Sequence, residues 1–307
     1  MRARPGHPYF AGAPLLVAHR GGSRLAPENT LVAFREAVDL WGADMLELDV
    51  QASRDGHAVV FHDPTLDRTT DGSGPVGDRT LAELRELDAG YGFLDLEGRP
   101  SRRGLGIRIP TLDEVLEALP HVRVNAESKD PRAARPLLDT IRRHKAEHRV
   151  LFAAEYERTR RGVADYPGPW GASRHHVLLF RVLHLLPRGA GYVPGADVLQ
   201  VPETWRGHRI VTPRFVEQAH LRNLPVQVWT VDDPEAMHRL LDWGVDGIHT
   251  DRPDLLARVL HERVGRPLPP GAAANGRPGA VKSGGAGAEP SAGARVESLG
   301  GPRPAAS

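Results

Sequence analysis

The chain has 307 residues and no cysteine. That one absence removes disulfides, thiolate metal sites and cysteine nucleophiles together. It leaves the redox compartment open, because a chain without thiols tolerates either state. Long apolar runs are also missing: nothing reaches eighteen consecutive apolar residues, so no segment is expected to span a membrane. Charge of one sign is not in excess, with 40 Lys and Arg against 39 Asp and Glu, so there is no electrostatic footprint for nucleic acid. The N-terminal MRARPGHPYFAGAP carries arginines but no apolar stretch behind them. A secretory signal is therefore not expected, and the cytoplasm is the default location. Aromatic residues are absent from 265–307, which is dominated by Gly, Ala and Pro. Such a stretch buries too little apolar surface to offset its chain entropy and reads as a disordered tail.

What is present is an alternation of short β-like runs with helical patterns over the body, 1–264. Leu15–Ala18, Met45–Val50, Ala58–Phe61, Val122–Glu127, Val150–Ala154, Val198–Val201, Val226–Val231 and Gly247–Thr250 read as strands. Between most of them lie amphipathic helices with legible starts, such as the Thr111-Leu-Asp-Glu114 capping box and the Asp233-Pro234 start. Eight strands alternating with helices suit a TIM (β/α)8 barrel. Residues 64–110, rich in Gly, Pro, Arg and Asp, read as a small insertion after the third strand. One join is awkward. The link between the second and third strands, Gln51–Gly56, is too short for a helix, so these two either run on extended or pair as a hairpin.

In such a barrel the chemistry belongs at the C-terminal ends of the strands. Those ends carry His19 and Arg20, then Glu47 and Asp49, then His62 and Asp63, then Glu127 and Lys129, with Trp229 and Asp251 on the last strands. Glu47 and Asp49 are two apart on a strand and point to one face. Two enclosed carboxylates repel unless a cation sits between them. With Glu127 they offer three oxygen ligands, which suits Mg²⁺ or Ca²⁺; the competing reading pairs them with Arg20 or Lys129 in a structural network. His19 and His62 bracket that site as a candidate acid/base pair, since imidazole titrates near neutrality. Arg20 and Lys129 would meet a phosphate, the adjacent Gly21-Gly22 would let backbone approach an anion, and Trp229 would wall a substrate's carbon skeleton.

The runs AHRGGSRLAPENTLVAFREAV, ELDVQASRDGHAVVFHDPTLDRTT, NAESK, VWTVDDPE and GVDGIHTDRPDLL resemble bacterial glycerophosphodiester phosphodiesterases over nearly all of 15–262. HRG, PENT, ExD, HD and NxExK in that order are specific as a set, though each is weak alone. The resemblance implies a TIM barrel of the phospholipase-C-like phosphodiesterase superfamily with an insertion after HD. It implies cleavage of glycerophosphodiesters to glycerol 3-phosphate and an alcohol. Carried over by motif, His19 and His62 are the acid/base pair, Glu47, Asp49 and Glu127 the metal ligands, and Arg20 and Lys129 the phosphate contacts. The chain departs from the family's common Ser-Phe pair after the fifth strand, where it has Ala153-Ala154-Glu155-Tyr156, and again across 155–195. Both departures bear on the alcohol side of the substrate.

The resulting expectation is a metal-dependent phosphodiester hydrolase, attacked by water or by the glycerol 2-hydroxyl. Two alternatives stand beside it. One is a lysophospholipase-D-like enzyme in peripheral contact with membrane lysolipids through the apolar helix around 177–186. The other is a non-catalytic barrel that only binds a phosphodiester.

Overall fold

The structure is a computed structural model and describes residues 7–185 and 191–273. Its strands are β1 (Leu15–Ala18), β2 (Met45–Ala52), β3 (Ala58–Val60), β4 (Arg123–Ser128), β5 (Val150–Ala153), β6 (Leu199–Pro202), β7 (Thr204–Trp205), β8 (His208–Arg209), β9 (Val226–Trp229) and β10 (Gly247–Thr250). Its helices are α1 (Leu31–Asp39), α2 (Leu81–Arg85), α3 (Leu112–Ala118), α4 (Pro131–Arg143), α5 (Glu157–Arg161), α6 (Arg174–Leu183), α7 (Pro213–His220), α8 (Pro234–Asp242), α9 (Pro253–Val264) and α10 (Pro270–Ala273). The anticipated starts hold. Thr111 and Glu114 form a reciprocal capping box on α3, and the Asp233 side chain accepts from the Ala236 N–H on α8.

A curled parallel sheet runs β5-β4-β2-β1-β10-β9-β6. The third strand read from sequence is not one of its staves. β3 folds back antiparallel on β2, with Val50 opposite Val60 and Ala52 opposite Ala58. The reason is length: a parallel return needs a dozen or more residues, and the connection here allows only a hairpin. The eighth position of the ring is filled by an extended stretch that the sequence pattern did not mark. Single parallel bridges join Phe152 to Trp170 and Gly171 to Val198, and so close β5 onto β6. Around this ring, β2 and β6 stand on opposite sides.

The barrel interior is apolar at its N-terminal end and polar at its C-terminal end. Leu15, Val17, Met45, Leu151 and Val198 fill the lower part, plugged by Tyr9 and Phe10. The Tyr9 hydroxyl donates to the Val124 carbonyl at 2.9 Å, and Arg123 donates to the Tyr9 and Ala11 carbonyls. Outside, the helices seal the sheet with a continuous core; burying each large side chain contributes about 1.5–3 kcal/mol. The insertion has a small core of its own, in which Leu66, Val76, Leu84 and Ile107 pack on Val59 and Phe61.

The packed body extends past residue 264. Arg266 pairs with Asp44 at 2.6 Å and donates to the Pro14 carbonyl, and α10 seats on the end of α1 through the Gly271 N–H to the Leu40 carbonyl. A Cβ at Gly271 would come within 2.7 Å of the Trp41 ring, so this close approach requires glycine. The rest of the expected tail, 274–307, lies outside the described residues. Among the described residues no helix is long and apolar enough to cross a membrane.

Candidate active site

At the end of β1 the chain enters a tight turn, His19–Gly21, with Arg20 at φ 51° and Gly21 and Gly22 at φ 84° and 90°. A Cβ on Gly21 would lie 2.7 Å from the Ala33 Cβ, and one on Gly22 would lie 2.8 Å from the Pro253 ring. The glycine pair therefore lets the turn press against α1 and the start of α9. That close packing requires glycine at both positions. The turn aims the Arg20 N–H at Glu47 Oε2, 3.0 Å away. It also places His19 between two carboxylates, with Nδ1 2.7 Å from Asp251 Oδ1 and Nε2 3.9 Å from Glu47 Oε2.

β2 sets Glu47 and Asp49 on the inner face, in register with Asn125 and Glu127 of β4. One oxygen from each of Glu47, Asp49 and Glu127 can be chosen so that all three lie within 4.8 Å of one another. Asn29, at φ 58°, donates from Nδ2 to Asp49 Oδ2 and accepts the Asp49 N–H at Oδ1. Lys129 Nζ lies 3.2 Å from Asp49 and 3.1 Å from Glu127. Arg20 donates to Glu28 at 3.0 Å, and its Nε lies 3.3 Å from Asp49 without the alignment of a hydrogen bond.

His62 arrives at the same cavity by way of the β2–β3 hairpin. Its Nδ1 lies 2.5 Å from Asp63 Oδ1, and its carbonyl accepts from Gln51 Nε2. Arg68 from the insertion clamps Asp63 and Glu28 together, with bonds of 2.6 to 3.1 Å. An ionised carboxylate only accepts, so Asp251 and Asp63 each draw the Nδ1 proton of their histidine. That leaves both Nε2 atoms to the cavity.

The electrostatics separate the two acids of β2. Burial, with the Asp49 charge beside it, pushes Glu47 up to about 7. Asp49 is buried too, but the Lys129 and Arg20 charges and the Asn29 hydrogen bond hold it below the usual carboxylate range. Glu127 is raised by burial despite Lys129. Burial opposes charge on His19 as well, yet Glu47 and the bonded Asp251 outweigh it and lift His19 to about 9. Asp63, gripped by Arg68 and His62, falls to about 2. His249 on the barrel floor is driven down to about 3 by burial and by His19, and its Nε2 faces Gln227 Oε1 at 3.1 Å.

This donor set fits a hard divalent cation. It offers three carboxylates and no soft ligand, which is the chemistry of Mg²⁺ and Ca²⁺ sites. Asn125 Oδ1, in the cavity wall beside Glu47, is a further buried oxygen with no hydrogen-bond partner among the described residues. The carboxylates also pair with Arg20 and Lys129, so both readings of the sequence describe real contacts: the cations flank the acid cluster rather than replace it.

His19, Arg20, Glu47, Asp49, His62, Glu127, Lys129 and Trp229 all line one cavity of about 610 Å³, within the ~300–1,000 Å³ of small-molecule sites. Trp229 is 43% exposed at the mouth rather than buried in the barrel core. Ala153, Ala154 and Glu155, where the chain departs from the family pattern, line the wall beyond β5. The sequence patterns above name no role for Glu28, Arg68, Asp63 or Asp251, and none for Asn29, which stands beside Thr30, the residue that caps α1. The available signal was redundancy: two capping residues stood where one suffices, and Asn tolerates the left-handed conformation.

Residues 19–158 and 181–255 match the model of the Glycerophosphoryl diester phosphodiesterase family. A glycerophosphodiester phosphodiesterase of Caldanaerobacter subterraneus subsp. tengcongensis is 36% identical over 265 residues, covering 81% of this chain and 98% of the relative. The crystal structure of a glycerophosphodiester phosphodiesterase from Agrobacterium tumefaciens is similar at a TM-score of 0.63 and 31% identity, over 80% of this chain and 99% of that one. An Oleispira antarctica phosphodiesterase, solved in complex with the product sn-glycerol-3-phosphate, matches at a TM-score of 0.67 and 25% identity, over 82% and 98%.

Proposed function

The chain belongs to the glycerophosphoryl diester phosphodiesterase family, and from that premise we propose that it hydrolyses glycerophosphodiesters to glycerol 3-phosphate and an alcohol at a divalent-cation site made by Glu47, Asp49 and Glu127. The observation that carries the reading is the convergence of two imidazoles, three carboxylates, Arg20 and Lys129 on one cavity at the C-terminal ends of the strands. When bound, Mg²⁺ or Ca²⁺ would supply positive charge to a phosphoryl oxygen. Arg20 and Lys129 sit where they can take the charge that builds on the other phosphoryl oxygens. His19 and His62 present Nε2 to the cavity with Nδ1 tied to a carboxylate. One removes the nucleophile's proton, and the other returns a proton to the alkoxide as the phosphorus–oxygen bond to the alcohol breaks. The nucleophile is water, or the glycerol 2-hydroxyl followed by opening of a cyclic phosphate. ³¹P NMR of the early time course separates the two.

The test is glycerol 3-phosphate release from glycerophosphoglycerol, glycerophosphocholine and glycerophosphoethanolamine by wild type, His19→Ala and His62→Ala. Release by wild type that falls on the order of 10²–10⁴-fold in each variant supports the reading. Full turnover in either variant removes that histidine from the chemistry. Tight diester binding without turnover would make the barrel a binding protein.

A second reading has an observation of its own. On α6 only Phe180 is buried, whereas Leu178, Val182 and, just beyond the helix, Leu185 are exposed. Leu178 also lines the cavity. That apolar face at the mouth favours lysolipids presented at a membrane surface, and co-sedimentation with vesicles tests it.

A further inference from the structure

The cavity has a second charged half, which the hydrolysis leaves unused. β6 stands across the ring from β2, so the segments after β6 and after the Gly171 bridge rise opposite Glu47 and Asp49. Three guanidinium groups line the cavity there: Arg174 and Arg181 from α6, and Arg206 from the β7–β8 hairpin. Among the described residues one carboxylate, Glu155, lines this half, and its ion pair is with Arg174, at 3.4 Å. Among the described residues neither Arg181 nor Arg206 makes an ion pair. Arg181 donates from Nη2 to the Arg209 carbonyl, but its buried Nε has no acceptor among the described residues. A buried donor without an acceptor is uncommon and needs an explanation.

The hairpin adds a second observation. Arg206 and Gly207 form its tip at φ 50° and 77°, positions that Asn or Gly fills at lower cost than Arg. Arg206 lies 4.7 Å over the Trp205 ring and Arg174 lies 5.6 Å from it. Of the two exposed aromatics that line the cavity among the described residues, Trp229 stands on β9, and Trp205, on this half, is thus already taken by cations. A choline arm would meet like charge there.

Neither the scissile phosphate nor the glycerol arm explains these groups. Glycerol is neutral, and the phosphate is served by Arg20 and Lys129 across the cavity. The balancing charge has to sit on the alcohol. We propose that the leaving alcohol of the preferred substrate carries a second phosphoryl group, bound by Arg174, Arg181 and Arg206. A phosphoryl group stays anionic throughout the working pH range, and its tetrahedral free oxygens can meet guanidinium forks from more than one direction. The proposal rests on the hydrolase reading above and names the substrate class for that same site.

The test compares kcat/KM for bis(glycerophospho)glycerol, glycerophosphoglycerol and glycerophosphocholine, whose alcohols are anionic, neutral and cationic. After the factor of two for its equivalent ester bonds, the anionic substrate is expected to lead the neutral one by about tenfold, a difference of ~1.4 kcal/mol. Choline is expected to trail both, and the lead should shrink with added salt. Arg206→Gln, at an exposed hairpin tip where it does not threaten folding, should cut the lead, and Arg181→Gln/Arg206→Gln should bring it near unity. Equal kcat/KM for the three substrates, faster hydrolysis of glycerophosphocholine, or a lead unchanged in the double variant would overturn the proposal alone. No glycerol 3-phosphate from any of them would overturn the hydrolase reading and this proposal with it.

Discussion

The two halves of the cavity mouth are built differently. On the β1–β2–β4 side every charged group is tied to at least one other. Asn29 and Lys129 hold Asp49, Arg68 holds Asp63 and Glu28, and Asp251 holds His19. On the α6 and β6–β8 side the arginines have few partners among the described residues, and Leu178, Val182 and Trp205 are exposed. Fixed geometry belongs where bonds break, because an angstrom of misplacement there is costly. In the proposed reaction the looser half faces the alcohol, where variation leaves the bonds that break undisturbed. Cost follows the same division: buried like charges on the first side destabilise the chain unless something neutralises them, whereas the exposed Arg174 and Arg206 on the second cost little.

The largest effect that would break this contrast is loss of the carboxylates. Glu47→Ala/Asp49→Ala should lower kcat by about 10³-fold or more, since the charge such a site supplies is worth several kcal/mol. A residual rate near wild type would mean that the rigid half is not the reaction centre. Next come the groups that orient the histidines. Asp251→Asn and Asp63→Asn should each lower kcat on the order of 10²-fold with little change in KM, short of the ~10⁴ known for a buried dyad. An effect confined to KM would make them substrate contacts instead.

A smaller effect sharpens the claim of cost. Glu47 keeps its proton to about pH 7 in the fold against an ordinary 4.5. Between those values the folded chain binds more protons than the unfolded one, so metal-free stability falls as pH rises from 4.5 through 7. His19, lifted from 6.5 to about 9, adds stability that is fully present below 6.5 and is lost as pH rises through 9. Glu47→Gln should therefore raise the Tm of the metal-free protein near pH 8, at about 2–4 °C per kcal/mol for a chain of this size, while abolishing activity. Added Mg²⁺ or Ca²⁺ should raise the wild-type Tm more at pH 8 than at pH 5. A lower Tm in the variant would mean that Glu47 supports the fold. The smallest effect is spectroscopic: the His19 ring should titrate near 9 without metal and at lower pH once a divalent cation is bound.

Much of the rigid half was legible in the sequence because it is written in short segments. A strand with acids two apart, a His at a strand end and a Lys two after a Glu are local patterns, and barrel topology brings them together. What was not legible depends on distant partners. The clamp from Arg68 to Glu28 spans forty residues, and nothing in either segment names the other. The barrel's closure was hidden because Trp170 and Gly171 make single bridges, too short a stretch to leave an alternating pattern. β3 read as a stave because its apolar content is that of one, and only the length of the turn before it argued for a hairpin. The contacts of Arg266 and Ala272 with the body were not legible because each is anchored individually within a composition otherwise typical of a tail.

The central claim is that the acid cluster of Glu47, Asp49 and Glu127 is a cation site on which turnover depends. The measurement that tests it most directly is calorimetric titration of the EDTA-treated protein with Mg²⁺ and with Ca²⁺, followed by glycerol 3-phosphate release on the same samples. The account predicts one ion per chain, recovery of activity in step with occupancy, and loss of both in Glu47→Gln/Asp49→Asn. Full activity in the EDTA-treated protein, or ion binding that persists in the double variant, would contradict it.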